Sequence, residues 1–312
     1  MLLQEKSCSI EQTIRRHGHR HGGKHVYRAA ADLADGSPTL KAASSIFRAT
    51  KRGGNVVISS GFTIISAGRC ETDGPIGSVV VGRLINEIGC RLIFLTDSHY
   101  VSLFEAICKL ADLDSYECRS FPIENDLALL ETKRIFSEFS PVAVIAIERP
   151  GWNWKSVHHN MHGQDISSRT GKVDHIFNRA RVRKTLTVGV GDGGNEIGMG
   201  NIEETVRQCV PYGSSCQCPC NGGIASATRV DHLIASSVSN WGAYGLAALL
   251  ANLANLSFRH TPDEERRLIK AVVEAGAVDG VTGKPIAAVD GVDIDENAEI
   301  VRRIFEVAND QP

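Results

Sequence analysis

Short runs of β-branched and aliphatic residues recur along this chain, and between them the apolar positions space out at three and four residues. NVVISS at 55–60, RLIFLT at 91–96, the segment 117–121, VAVIAI at 142–147, TLTVGV at 185–190 and HLIASSVS at 232–239 each read as a strand. Segments 78–88, 125–139, 202–210, 242–256 and 262–275, a start at Ser98 and His99, and a stretch from position 297 to the end have helical spacing. Pro75, and Thr261 followed by Pro262, supply helix-start chemistry. Runs such as VAVIAI, apolar without alternation, belong to a sheet covered on both faces. The expected fold is therefore α/β and Rossmann-like: a mostly parallel, doubly wound sheet flanked by helices, with an N-terminal helical extension. No repeat or linker-like break divides the chain, so residues 1–312 are expected to form a single α/β domain, with a helical segment over 1–50 and a sheet-containing core over 51–312.

Six glycines crowd positions 189–200 in the stretch TLTVGVGDGGNEIGMGN, directly after a strand. Gly189, Gly191 and Gly194 satisfy the dinucleotide fingerprint literally. The glycines, however, run on to where a helix belongs, Asp192 and Glu196 would sit beside a pyrophosphate, and no acid follows at the ribose-binding distance. No nicotinamide cofactor is expected. Asp192, Asn195 and Glu196 instead offer hard oxygen ligands on a pliable loop, suited to Mg²⁺, Mn²⁺ or an ammonium group. The bland alternative is a glycine turn whose Asp and Asn bond their own backbone. Glu71 and Asp73, just ahead of the helix that Pro75 opens, cap it or hold a cation or a substrate ammonium.

Gly61, Asp97, Glu148 and Asp192 each follow a hydrophobic strand, and Asn240 follows the last. Ligands of open α/β sheets sit beyond the carboxyl ends of the strands, so these residues are expected around one crevice.

Composition narrows the partners. With 34 basic against 36 acidic residues, a formal charge of −2 gives no case for nucleic acid or an anionic membrane, which leaves a small-molecule substrate; a homo-oligomer is left open. The most apolar run, 241–256, contains Asn252 and Asn255 and falls short of a span. No apolar leader follows the start, and nine cysteines, an odd number, point to reduced thiols, so the expected setting is cytoplasmic or an organelle matrix.

Three polar stretches stand out. HGHRHGGKH at 17–25 fits a solvated turn better than a metal framework. Residues 151–175 are long for a plain connection and suggest a lid, with His158, His159 and His162 as general-base candidates. Cys209, Cys216, Cys218 and Cys220 raise a thiolate zinc site, but C-x-C-x-C lacks the usual gap between paired ligands, and a loop of free thiols is the favoured reading.

ETDGP at 71–75, GVGDGGNEIGMGN at 189–201 and VSNWGAYG at 238–245, in that order, resemble the C-terminal domain of the D-glutamate cyclase family. In animals this domain forms the second half of a mitochondrial protein, after a hydro-lyase-like half; in bacteria it also stands alone. The resemblance implies a carbon-oxygen hydro-lyase that converts D-glutamate to 5-oxo-D-proline and water. On that reading Glu71, Asp73, Glu148 and Asp192 are the catalytic candidates, and Asp73, Asp192 and Glu196 hold a divalent cation. Gly74, Gly191, Gly193, Gly194, Asn195 and Asn240 bind substrate, with the glycine-loop N–H groups facing an oxyanion. Two alternatives remain: a non-catalytic module that binds a nucleotide, amino acid or phosphate, and a lyase or hydrolase acting on another amino acid.

Overall fold

The structure is a computed structural model that describes residues 2–16 and 23–310, so His17, His19 and His21 of the histidine run lie outside the described residues. Its sheet has six parallel strands: β1 (Gly54–Ser60), β2 (Cys90–Thr96), β3 (Glu117–Ser120), β4 (Ala143–Ile147), β5 (Leu186–Gly191) and β6 (His232–Ala235). Their spatial order is β3-β2-β1-β4-β5-β6. Val56 of β1 lies between Leu92 and Ala143, and Ile58 lies between Phe94 and Ile145. The chain runs outward from β1 to β3 and then returns to lay β4 on the other side of β1. The order therefore reverses between β1 and β4, which is where such sheets open a ligand crevice.

The helices are α1 (Leu3–Ile14), α2 (Gly23–Ala34), α3 (Pro38–Thr50), α4 (Pro75–Glu87), α5 (Val101–Leu110), α6 (Asn125–Glu138), α7 (Asp174–Arg183), α8 (Glu203–Cys209), α9 (Ser239–Ala254), α10 (Pro262–Glu274) and α11 (Ile294–Asn309). Period-2 alternation divides each central strand between two cores. Val56, Ile58, Ile145 and Ile147 face a core shared with α1, α3, α4, α5, α9, α10 and α11. Val57, Val144 and Ala146 face a second core built with α2, α6, α7 and α8. This double covering is why VAVIAI is apolar throughout.

Local chemistry sets the helix starts. Ser37 accepts from the Leu40 N–H and Asp293 from those of Asp295 and Glu296, while Thr261 and Glu264 form a capping box ahead of Pro262. The run expected as a strand over 232–239 stops at Ala235: the Ser236 hydroxyl bonds the Val238 carbonyl, the Ser237 N–H reaches Ile14, and Ser239 already begins α9. The N-terminal helices pack into the main core, through Ile10 and Ile14 of α1 and Ala42, Ala43 and Ile46 of α3. Among the described residues no helix is long and apolar enough to cross a membrane.

Candidate active site

Beyond the carboxyl ends of β1, β4 and β5, Asp73, Glu148 and Asp192 bring one carboxylate oxygen each to within 4.8 Å of one another. Two of the three follow a strand directly, Glu148 after β4 and Asp192 after β5. Asp73 is placed by two helix starts. Its Oδ1 accepts from the N–H groups of Gly74 and Asn240 at 2.9 and 2.8 Å, and its Oδ2 accepts from Ser239 N–H at 2.8 Å. The first turns of α4 and α9 thus share one carboxylate, held by their donors and partial positive charge. Asn240 closes the joint: its Oδ1 accepts from the N–H groups of Gly74 and Gly77, and its Nδ2 donates to the Thr72 carbonyl.

Gly74 cannot be replaced without cost here. Its φ is +94°, and a Cβ would lie 2.6 Å from Ser60 Oγ and 2.7 Å from Glu148 Cβ. Gly74→Ala is expected to lower stability by about 2–5 kcal/mol through left-handed strain and overpacking. A denaturant midpoint unchanged from wild type would contradict this.

Glu148 takes a left-handed backbone, φ 44°, an uncommon state for a residue with a side chain, and its Oε2 accepts from Ser239 Oγ at 2.6 Å. Burial and then the charges of Glu196, Glu71 and Asp73 push its carboxyl well above the usual range. Asp192, half-buried at the cavity wall, is pushed up by burial and then by Glu148, Asp290, Glu196 and Asp73. Burial and then the charges of Asp290, Asp73, Glu196 and Asp279 raise Glu71. For Asp73, burial and Asp290 push upward while the N–H donors of Asn240, Ser239 and Gly74 pull back, leaving it raised.

The glycine loop is organised differently from the sequence expectation. Glu196 turns back on it: Oε1 accepts from Gly193 N–H at 2.6 Å and more weakly from Asp192 N–H at 3.3 Å, and Oε2 accepts from Gly194 N–H at 2.7 Å. Those N–H groups, expected to face an oxyanion, are occupied by a carboxylate of the protein. Glu196 accordingly stands outside the three-acid group, in which Glu148 takes the place given to it. Asn195 donates from Nδ2 to the His159 carbonyl at 2.7 Å, while its buried Oδ1 has no partner among the described residues.

These groups border a cavity of about 320 Å³, at the small end of the ~300–1,000 Å³ typical of ligand pockets. Its lining takes in Glu71, Glu148, Asp192, Asn195 and Glu196, whereas Asp73, Gly74, Gly191, Gly193, Gly194 and Asn240 lie behind it. Among the described residues that line it there is no lysine or arginine. A more open groove of about 840 Å³ on the outside of α2 and α8 holds none of the convergent acids.

Asp290 and the segment 280–283 form one wall and carried no sequence expectation. They arrive because Val278 pairs with the chain at Cys70 and Thr72 and Asp279 caps the turn through Thr282 and Gly291 N–H, and Gly280 leaves room where a side chain would run into the carboxylates of Glu71 and Asp290. The Asp290-Gly291 dipeptide, with φ 53° and 70°, signals a turn, but nothing local places it here.

Asp97 reaches the same end of the sheet but faces Arg149, buried and bidentate at 2.7 and 2.8 Å, and also accepts from Gly171 N–H. Arg149 also donates to the carbonyls of Gly61 and Gly171. The pair is a brace beneath the cavity. Within 151–175, His158 is locked by Nε2 to buried Asp174 at 2.8 Å, His159 points at cysteine sulfurs, and His162 alone of the three lines the cavity.

Comparison with known proteins places the chain in a family. The family described as D-glutamate cyclase-like, C-terminal, matches residues 10–305. The human protein "D-glutamate cyclase, mitochondrial" is 28% identical over 189 residues, which is 58% of this chain and 29% of that protein. The chain thus matches under a third of that relative's length. With a family match running over nearly all of its residues, the chain belongs to the D-glutamate cyclase-like, C-terminal family.

Proposed function

We propose that this chain is a hydro-lyase that closes D-glutamate to 5-oxo-D-proline with loss of water, and that Asp73, Glu148 and Asp192 hold a divalent cation at its centre. The meeting of these three carboxylates at the sheet's switch point carries the reading, alongside family membership. Hard oxygen donors suit Mg²⁺ or Mn²⁺. The lining also calls for a cation: a substrate with two carboxylates entering a cavity walled by Glu71, Glu148, Asp192, Glu196 and Asp290, with no lysine or arginine among the described residues that line it, is otherwise repelled.

The reaction forms a bond between the α-nitrogen and the side-chain carboxyl carbon and breaks one C–O bond; two protons leave the ammonium and depart with that oxygen as water. A bound cation supplies charge neutralisation at the carboxylate under attack. Asn195 Oδ1, buried and without a partner, accepts a hydrogen bond from the substrate ammonium. Glu148, made a stronger base by burial and its acidic neighbours and oriented by Ser239 Oγ, takes a proton from the nitrogen as a carboxylate and returns it to the departing oxygen. Glu71, raised by burial and then by its acidic neighbours, lines the same cavity and is the second acid to exchange a proton. An organelle matrix is the setting this reading favours, after the mitochondrial relative.

Incubating the purified chain with D-glutamate, with and without Mn²⁺, and following 5-oxoproline by chiral chromatography tests the reading. Product that depends on the cation is expected. Calorimetric binding of D-glutamate or a nucleotide with no product would instead favour a non-catalytic module, and turnover of a different amino acid would reassign the substrate.

A further inference from the structure

His159, Cys216, Cys218 and Cys220 converge on the flank of the cavity wall, their ligand atoms all within 4.8 Å of one another. The sulfur of Cys216 lies 3.6 Å from that of Cys218 and 3.4 Å from that of Cys220. His159 Nε2 lies 3.3 Å from Cys218 Sγ and 3.5 Å from Cys220 Sγ. A tetrahedral zinc ion with bonds of ~2.3 Å to sulfur and ~2.0–2.1 Å to nitrogen sets its ligands about 3.8 Å apart for sulfur pairs and about 3.6 Å for sulfur with nitrogen. The observed separations need a spread of only a few tenths of an ångström to reach those values. They are far too long for a disulfide, whose sulfurs sit ~2.05 Å apart. We propose that these four side chains bind a structural zinc ion, His159 through Nε2 and the cysteines as thiolates.

The surroundings are those of a zinc centre. His159 Nδ1 lies 3.1 Å from the Val157 carbonyl, which fixes the proton on that nitrogen and leaves the Nε2 lone pair toward the sulfurs. Cys220 Sγ accepts from Gly222 N–H at 3.3 Å and from Asn153 Nδ2 at 3.6 Å, donors that stabilise a thiolate. Asn153 Oδ1 in turn accepts from the N–H groups of Lys155 and Val157, shaping the turn that delivers His159. All four positions are protein ligands, which leaves no site for substrate and marks the ion as structural. Its work is mechanical: it ties the 214–222 loop to the segment that continues through Asn160, Met161, His162 and Gln164 along the cavity, and the His159 carbonyl holds Asn195. The proposal is independent of the reaction above.

The full chain, purified under reducing conditions without added metal and dialysed against a weak chelator, is expected to carry one zinc by native mass spectrometry. Exchange for Co²⁺ is expected to give the visible bands of a tetrahedral ion together with near-ultraviolet thiolate charge transfer. Cys218→Ser is expected to weaken zinc binding by more than the ~10–100-fold of an outer-shell change, while Asp192→Asn keeps the zinc and the cobalt spectrum. The wild-type cobalt spectrum keeps the test decisive even if Cys218→Ser fails to fold. The proposal is overturned if fresh protein is metal-free with free or disulfide-bonded cysteines, if the cobalt bands lack thiolate charge transfer, as a site on the histidine run or on the acids would give, or if zinc leaves with Asp192→Asn and stays with Cys218→Ser.

Discussion

Asp192→Asn is expected to abolish cyclisation while making the metal-free protein more stable at pH 8. The Asp192 carboxylate is raised by burial and by neighbouring acids, and so are those of Glu148 and Glu71. Unfolded, each titrates near its ordinary value of about 4. A group whose folded pKa lies above its unfolded one contributes stability that is complete below about pH 4 and is lost as pH rises through the folded value. The metal-free wild type should therefore lose stability steadily from about pH 4 toward neutrality, as proton after proton must leave a crowded acidic site. A divalent cation reverses the slope, because it binds the deprotonated set and stabilises most where protons compete least. Asparagine removes one repelling charge and one ligand together, and among the described residues none donates a hydrogen bond to the Asp192 carboxylate. Turnover should fall by at least ~100- to 1,000-fold, the scale of losing one electrostatic contact to the reacting groups. Melting curves at pH 5 and pH 8, with and without Mn²⁺, decide it: a variant with the wild-type pH slope and the wild-type Mn²⁺ shift would show that Asp192 neither crowds the other acids nor binds the ion.

The acids of this site were legible as positions and illegible as directions. Glu148 and Asp192 could be placed beyond a strand end because the preceding runs are apolar throughout, and parallel strands share one end. Glu196 looked equivalent to Asp192, yet its longer side chain reaches back to the loop's own N–H groups, an outcome set by dihedrals at glycines such as Gly194, φ +112°, that composition does not fix. The wall around Asp290 was invisible because it depends on Val278 pairing beside Glu71, some two hundred residues earlier in the chain. The C-x-C-x-C run was weighed against a spacing rule for paired ligands, whereas its fourth member, His159, comes from a distant loop. Helix α7 carried no expectation either: its buried face reduces to Asp174, Ile176, Phe177 and Ala180 among arginines, too thin a stripe to register as periodicity.

Arg149→Leu is expected to destabilise the protein by about 3–5 kcal/mol, because it strands a buried charge without its partner. The guanidinium is fully buried, and so is Asp97; between them run two hydrogen bonds, and the carbonyls of Gly61 and Gly171 take the other two Nη donors, while Nε has no partner among the described residues. One side chain thereby ties the ends of β1, β2 and β4 to the segment after residue 170. Lysine cannot reproduce the fork, so Arg149→Lys should recover only part of the loss. Asp97→Asn in the leucine background removes the stranded charge, and the double variant should be less destabilised than the two single changes added together. Urea midpoints of the four proteins provide that cycle; additivity would mean that the pair is not coupled. The consequence reaches the chemistry through a single peptide bond. Glu148 precedes Arg149 and is held in a left-handed conformation that an unconstrained glutamate avoids, at a cost of roughly 1–3 kcal/mol. Release of Arg149 lets that backbone relax and swings Glu148 away from Asp73 and Asp192. Arg149→Leu should then lose Mn²⁺ affinity even under conditions where it remains folded, although residue 149 touches neither metal nor substrate.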